Sequence, residues 1–330
     1  MANFGKILSV QIMTILLFKR ASSFANYAQR RPFQRTSARS ISKTITAAST
    51  NSSITAPTRT SDIVETTAKA VDLFRPFFPI YYNDVYEVPL PPHHRFPMEK
   101  YRKVRERVQH AIQTQKQEQE QAQTPKYEKV QCDFTVSPLV TVKDLETTHC
   151  PNYIQRYLDG NQTNQEIRNV GFPWSPEGVA RSSSSVGGTV AAATSLCKVM
   201  REQNSLLLKA RNEDLHLNHH ENGNVNGIDE SEFGLLFSAH VAGGTHHAFR
   251  DRGEGFCVFS DIAVAANVIL RDYPDVVKTI LIIDLDVHQG NGNAVLFQGR
   301  KEVMTFSMHC ISNYFSDKQD SDLDIELPAG

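Results

Sequence analysis

One segment constrains this chain more than any other. Ile280-Leu281-Ile282-Ile283 runs straight into Asp284-Leu285-Asp286-Val287-His288. A continuous aliphatic run bounded by polar turns suits a strand buried on both faces, as in a parallel sheet covered by helices. Ligands of such sheets gather at the carboxyl ends of the strands, where this cluster sits. If extended geometry persists, residues two apart share a face, and Asp284, Asp286 and His288 point the same way. Carboxylate and imidazole together make half or more of a zinc site. Acidic residues capping a turn at a strand end explain the segment equally well.

A second segment tips the balance toward chemistry. Leu235 to Ala242 reads as another strand, followed by a Gly243-Gly244 break and the adjacent pair His246-His247. Two glycines let the backbone turn tightly and approach a ligand. Adjacent histidines in an ordered loop supply two acid/base groups near neutral pH. Alone, such a pair is usually surface decoration; beside an Asp-x-Asp-x-His strand end it reads as a site.

Four ordered motifs, Gly243-Gly244-Thr245-His246-His247-Ala248, Gly255-Phe256-Cys257 through Ala265, Asp284 through Gly292, and Phe306-Ser307-Met308-His309, resemble the zinc-dependent histone deacetylase family. Leu90 to Tyr101 and Gly171 to Glu177 resemble its first and second active-site loops. The likeness runs from about Pro79 to Gly330 and is closest to the class IV and acetoin-utilisation-like branch. It implies an arginase/deacetylase-like α/β fold, a single domain with a central parallel sheet flanked by helices.

The resemblance also implies roles. Asp286 and His288 match zinc ligands. His246 and His247 match the tandem histidines that handle the protons of the water and the leaving amine, with Asp284 orienting the first and Asn291, an amide, partnering the second. Gly255 and Phe256 match the wall of the acyl-lysine channel. Asp284, Ser307 and the backbone around Asp286, His288 and Met308 match a structural site for a monovalent cation such as K+. Pro173-Trp174 stands where class I members carry an Asp that grips the substrate backbone, so Trp174 is expected to shape the channel mouth. The family's third zinc ligand is expected beyond Gly330, which makes the C-terminal part of the domain missing; Asp317, Asp320 and Asp322 are the weaker substitutes within the chain.

The implied reaction is hydrolysis of acetyl-lysine, on histones or other proteins, by zinc-activated water. Two alternatives stay open: deacetylation of a small acetylated amine such as an acetylpolyamine, and a catalytically dead binding module lacking the third ligand.

The 330 residues carry a net charge of -1, which gives no electrostatic case for nucleic-acid binding. Five cysteines without a C-x-x-C pair argue against a disulfide frame or zinc finger. Residues 1–61 read as a targeting or disordered segment, since Met1 to Thr60 hold nine basic residues from Lys6 to Arg59 and no acidic one. Mitochondrion or plastid follows as the expected location, with nucleus or cytoplasm if the N-terminus is not native. The apolar run Ile7 to Phe18 is too short to span a membrane. Residues 62–78 read as a linker and 79–330 as the domain, with polar insertions near 113–126 and 212–232, the first of them the exposed continuation of a helix begun near Met98. Ser182 to Met200 and Ser260 to Leu270 read as helices, and Val303 to Met308 as a strand.

Overall fold

The computed structural model describes residues 13–18, 77–121, 131–217, 236–314 and 316–329. In chain order the elements are β1 (Met13–Phe18), β2 (Phe77–Tyr82), α1 (Lys100–Gln121), β3 (Gln131–Val136), α2 (Val142–Leu145), α3 (Pro151–Leu158), α4 (Asn164–Val170) and α5 (Pro176–Leu217). They continue with β4 (Ala239–His240), α6 (Asp261–Asp272), β5 (Thr279–Asp284), α7 (Asn291–Phe297), β6 (Val303–Cys310) and β7 (Leu323–Leu327). Strands β3-β2-β4 form one parallel sheet, and β5-β6-β7 form a second parallel run. The architecture is α/β, as the alternation of apolar runs and capped helices implies.

Local chemistry explains most boundaries. Thr163 and Glu166 form a reciprocal capping box at the start of α4, and Gly171 closes that helix in the left-handed region. Ser260 Oγ accepts from the Ala263 N–H to start α6. Helix α6 is buried on two sides. Ile262, Ala266 and Ile269 pack with Ile280, Ile282 and Phe297, while Val264 and Val268 pack with Tyr153, Val186 and Phe259. A helix apolar around most of its circumference belongs inside a layered core, and here it holds β5 from behind.

Three expectations need revision and one holds. Leu235 to Ala242 is not a full strand: pairing is confined to Ala239–His240, and Phe237 is 51% exposed. The helix expected over 182–200 extends from Pro176 to Leu217, because Glu202, Lys209, Arg211 and Glu213 are helix formers and no Gly or Pro interrupts them. The polar tract from residue 113 continues α1 up to Gln121, as expected of a helix begun near Met98; residues 122–126 and 218–232 lie outside the described residues. Met13–Phe18, within the segment read as targeting or disordered, is a strand antiparallel to β5, with Met13 opposite Asp284. No helix among the described residues is long and apolar enough to cross a membrane.

Candidate active site

Strand β5 delivers Asp284 to the carboxyl end of its sheet, opposite Ser307 on β6. Beyond it the extended geometry does not persist. Instead, each aspartate accepts a hydrogen bond from the backbone N–H two residues on: Asp286 N–H to Asp284 Oδ1 at 3.0 Å, and His288 N–H to Asp286 Oδ1 at 2.8 Å. These successive Asx turns, not a continued pleat, aim the cluster. They leave His288 Nδ1 3.2 Å from Asp286 Oδ1.

That separation can be tested against a metal. Two donors at about 2.0–2.2 Å from a tetrahedral zinc stand roughly 3.4 Å apart. The Asp286 and His288 atoms fit two corners of such a site. Burial would raise the Asp286 carboxyl, yet the His288 hydrogen bond and the charge of His246 pull it down to about 2, so it is an ionised donor at neutral pH. Among the described residues no group of three His, Cys, Asp or Glu side chains converges on one point. Asp322 is no third member: its Oδ2 accepts from the Thr305 N–H and hydroxyl on β6. Asp317 and Asp320 are exposed.

The tandem histidines reach the cluster from the loop after β4. Gly243 and Gly244 both adopt left-handed φ, +82° and +72°, a conformation that favours glycine. The turn is clamped by Asp261, 1% exposed, which accepts from the N–H groups of Gly244 and Thr245 and from the hydroxyls of Thr245 and Thr189. In sequence Ser260-Asp261 reads only as the start of a helix; the clamp joins residues far apart in the chain.

His246 and His247 are 1% and 3% exposed. His246 Nδ1 lies 2.6 Å from Asp284 Oδ2, and His247 Nδ1 lies 2.7 Å from Asn291 Oδ1 at the start of α7. Their titration diverges. Burial would lower His246, but the Asp284 charge and hydrogen bond outweigh it and hold the ring above its ordinary value. Burial and the positive neighbours His246 and His288 push His247 down to about 2, and the Asn291 hydrogen bond only partly opposes this. The surroundings favour the charged form of one ring and the neutral form of the other.

The remaining candidate residues form the surroundings. Gly255 and Phe256 both have positive φ, +56° and +66°. A Cβ on Gly255 would collide with the Tyr314 hydroxyl and stand 2.9 Å from the His247 ring, so only glycine fits there. The Phe256 ring meets Phe96 and Phe172, each at a centroid distance of 5.1 Å. Together with Tyr101, Pro173, Trp174 and Arg181 these aromatics line a cavity of about 50 Å³. Thr245 reaches this cavity but the two histidines do not line it. Trp174 is held in place: its Nε1–H donates to the Tyr157 carbonyl at 2.7 Å, and its ring lies on Gly160. Ser307 Oγ pairs with His309 Nδ1 at 3.0 Å, and Met308 is half-buried beside it on β6. Tyr314, which sequence reasoning missed, lies flat on the His247 ring at 4.2 Å and 12°.

A sequence profile described as the histone deacetylase domain matches residues 94–321, which hold all of these groups. The chain belongs to the histone deacetylase family. An uncharacterized protein of Picosynechococcus sp. is 36% identical over 253 residues, covering 77% of this chain and 67% of that protein. Histone deacetylase 18 of Arabidopsis thaliana is 48% identical over 65 residues, 19% of this chain and 10% of the plant protein. The acetoin utilization protein AcuC of Staphylococcus aureus is 40% identical over 75 residues, 23% of this chain and 18% of AcuC. Likeness to the named histone deacetylases and AcuC is thus confined to a short part of their length. The family domain is that of a deacetylase-like hydrolase.

Proposed function

We propose that this histone deacetylase family protein is a zinc-dependent hydrolase that removes acetyl groups from lysine side chains. The observation that carries the reading is the placement of two differently poised histidines beside the 3.2 Å pair Asp286 and His288, with His246 Nε2 3.8 Å from Asp286 Oδ1 and the His247 ring 5.9 Å from the His288 ring. Zinc, held by Asp286 and His288, would polarise the acetyl carbonyl and lower the pKa of a bound water toward ~7. This chain's own residues do the rest. His247, kept uncharged by burial, accepts the proton from the attacking water. His246, its pKa held above the ordinary value by Asp284, stabilises the oxyanion's side of the site and supplies the proton for the departing amine. Phe256, with Gly255 before it, walls an apolar path for the acyl-lysine stem, and Asp284 with Ser307 anchors the strand ends where a monovalent ion such as K+ would sit.

A small acetylated amine is the second reading. It is favoured by Pro173-Trp174, whose indole is tied to Tyr157 and presents no carboxylate to grip a peptide backbone. We further propose an organelle destination, mitochondrion or plastid, on the acid-free basic composition of Met1 to Thr60; a fluorescent fusion that stays nuclear or cytosolic would contradict it. The function itself is tested by kcat/KM for an acetyl-lysine peptide and for an acetylpolyamine, on the full natural chain with and without zinc. Chelator-sensitive turnover of either identifies the substrate class. Zinc-independent turnover, or none with zinc bound, overturns the reading.

A further inference from the structure

Behind Asn291 stands a carboxylate that no sequence motif singled out. Glu254 is 8% exposed, and its Oε1 accepts from the Tyr314 hydroxyl at 3.1 Å and from Asn291 Nδ2 at 3.4 Å. Glu254 is itself fixed, since its N–H and C=O pair with the C=O and N–H of Cys257 at 2.9 and 2.8 Å. On its other side Asn291 offers Oδ1 to His247 Nδ1, and the same oxygen accepts from the Gly292 N–H at 3.0 Å.

A carboxamide can present either end to a neighbour, but a carboxylate only accepts and a backbone N–H only donates. Glu254 therefore selects the NH2 end of Asn291, and Gly292 selects the oxygen end. With Oδ1 turned to it, His247 Nδ1 must carry the hydrogen, which leaves Nε2 as the acceptor. We propose that Glu254 is a positioning residue that holds the Asn291 carboxamide, and through it the tautomer of His247, in the orientation that makes Nε2 a base. The inference rests on the reading of His247 as an acid/base group. It also accounts for an amide at position 291. An Asp there would set a carboxylate oxygen 3.4 Å from Glu254 Oε1 in a buried site, and two like charges that close do not both stay ionised. Residues 254 and 291 are thus a matched pair, one carboxyl and one amide.

A double-mutant cycle on the zinc-supplied full natural chain tests this, reading kcat, KM and the ring 15N shifts of His247. Glu254→Leu is expected to lower kcat about tenfold, the range of outer-shell partners, with KM within about twofold. Glu254→Gln, whose amide oxygen can accept both contacts, restores most of the loss. Asn291→Asp alone lowers kcat, and adding Glu254→Gln recovers it, because a single carboxylate then remains. The 15N shifts show Nδ1-protonated His247 in the parent and a tautomer mixture in Glu254→Leu, whether or not turnover is detected. Failure of turnover in the parent therefore counts against the deacetylase reading, while the shifts decide this one. An unchanged tautomer in Glu254→Leu, or independent additive effects of Asn291→Asp and Glu254→Gln, overturns it; should Glu254→Leu not fold, the second pair decides.

Discussion

The rings of His246 and His247 lie 3.9 Å apart, centre to centre, and the protein treats them oppositely. Asp284 supplies a charge to the first, whereas Asn291 supplies only an amide to the second. Losing the base should remove the proton-transfer contribution outright. His247→Ala is expected to lower kcat by about 10²–10⁴-fold with a small change in KM, whereas Asp284→Asn should act through His246 by reducing its positive charge. Steady-state kinetics on an acetylated substrate check both, and equal activity of parent and His247→Ala contradicts the assignment.

Asp286 should dominate metal affinity. Asp286→Asn keeps an oxygen to accept the His288 N–H and so preserves the turn, but it removes the ionised donor. Zinc titration should show binding weakened by at least about tenfold relative to the parent, with the circular dichroism spectrum unchanged. Equal zinc affinity in the two proteins would mean the metal sits elsewhere.

How much of this was legible in sequence depended on distance along the chain. The buried strand over Ile280 to Ile283 and the start of α6 at Ser260 follow from a few neighbouring residues, and both form where the pattern implied. The direction of the Asp286 and His288 side chains came from the wrong local geometry, because side-chain oxygens bonding to backbone N–H groups two residues on replace the pleat. The Glu254 contact with Asn291 and the Asp261 contact with Thr189 join residues that carry no mutual spacing signal. The pairing of Met13–Phe18 with β5 joins segments more than 260 residues apart and has the same character.

The clamp at Asp261 carries a stability prediction. Its oxygens face four donors, so Asp261→Asn turns an NH2 toward hydroxyl and backbone N–H groups that are already donating. Leaving buried donors unpaired costs about 1–3 kcal/mol each, and a total of roughly 3 kcal/mol is expected from urea unfolding. Turnover should fall as well, since the Gly243-Gly244 turn positions His246. A variant as stable as the parent would show that the loop is held by other contacts.

Stability should also fall on mild acidification, for reasons that do not involve Asp286 or His288. His149 is wholly buried, with Nδ1 2.8 Å from the Phe249 carbonyl and Nε2 3.0 Å from the Ser260 N–H, a pattern that a neutral ring satisfies completely. Burial holds it at about 4. His240 lies between the Ser137 and Thr189 hydroxyls, and burial, aided by the charge of Arg181, holds it at about 3. In the unfolded chain both take up a proton near 6.5. Between that value and 4 the unfolded state binds more protons than the folded one, so stability rises with pH there and is lost as pH falls. At about pH 5.5 each ring costs about 1.4 kcal/mol, roughly 3 kcal/mol together. His246 runs the other way: its folded value is raised, so its contribution grows as pH falls from that value toward 6.5 and is fully present below, which offsets part of the loss near neutrality and none of the further loss below about 6. Urea midpoints measured between neutral pH and about pH 5.5 should fall accordingly, and His149 should show no NMR titration over that window. A flat midpoint, or a His149 ring that titrates near 6.5, contradicts the burial of uncharged rings.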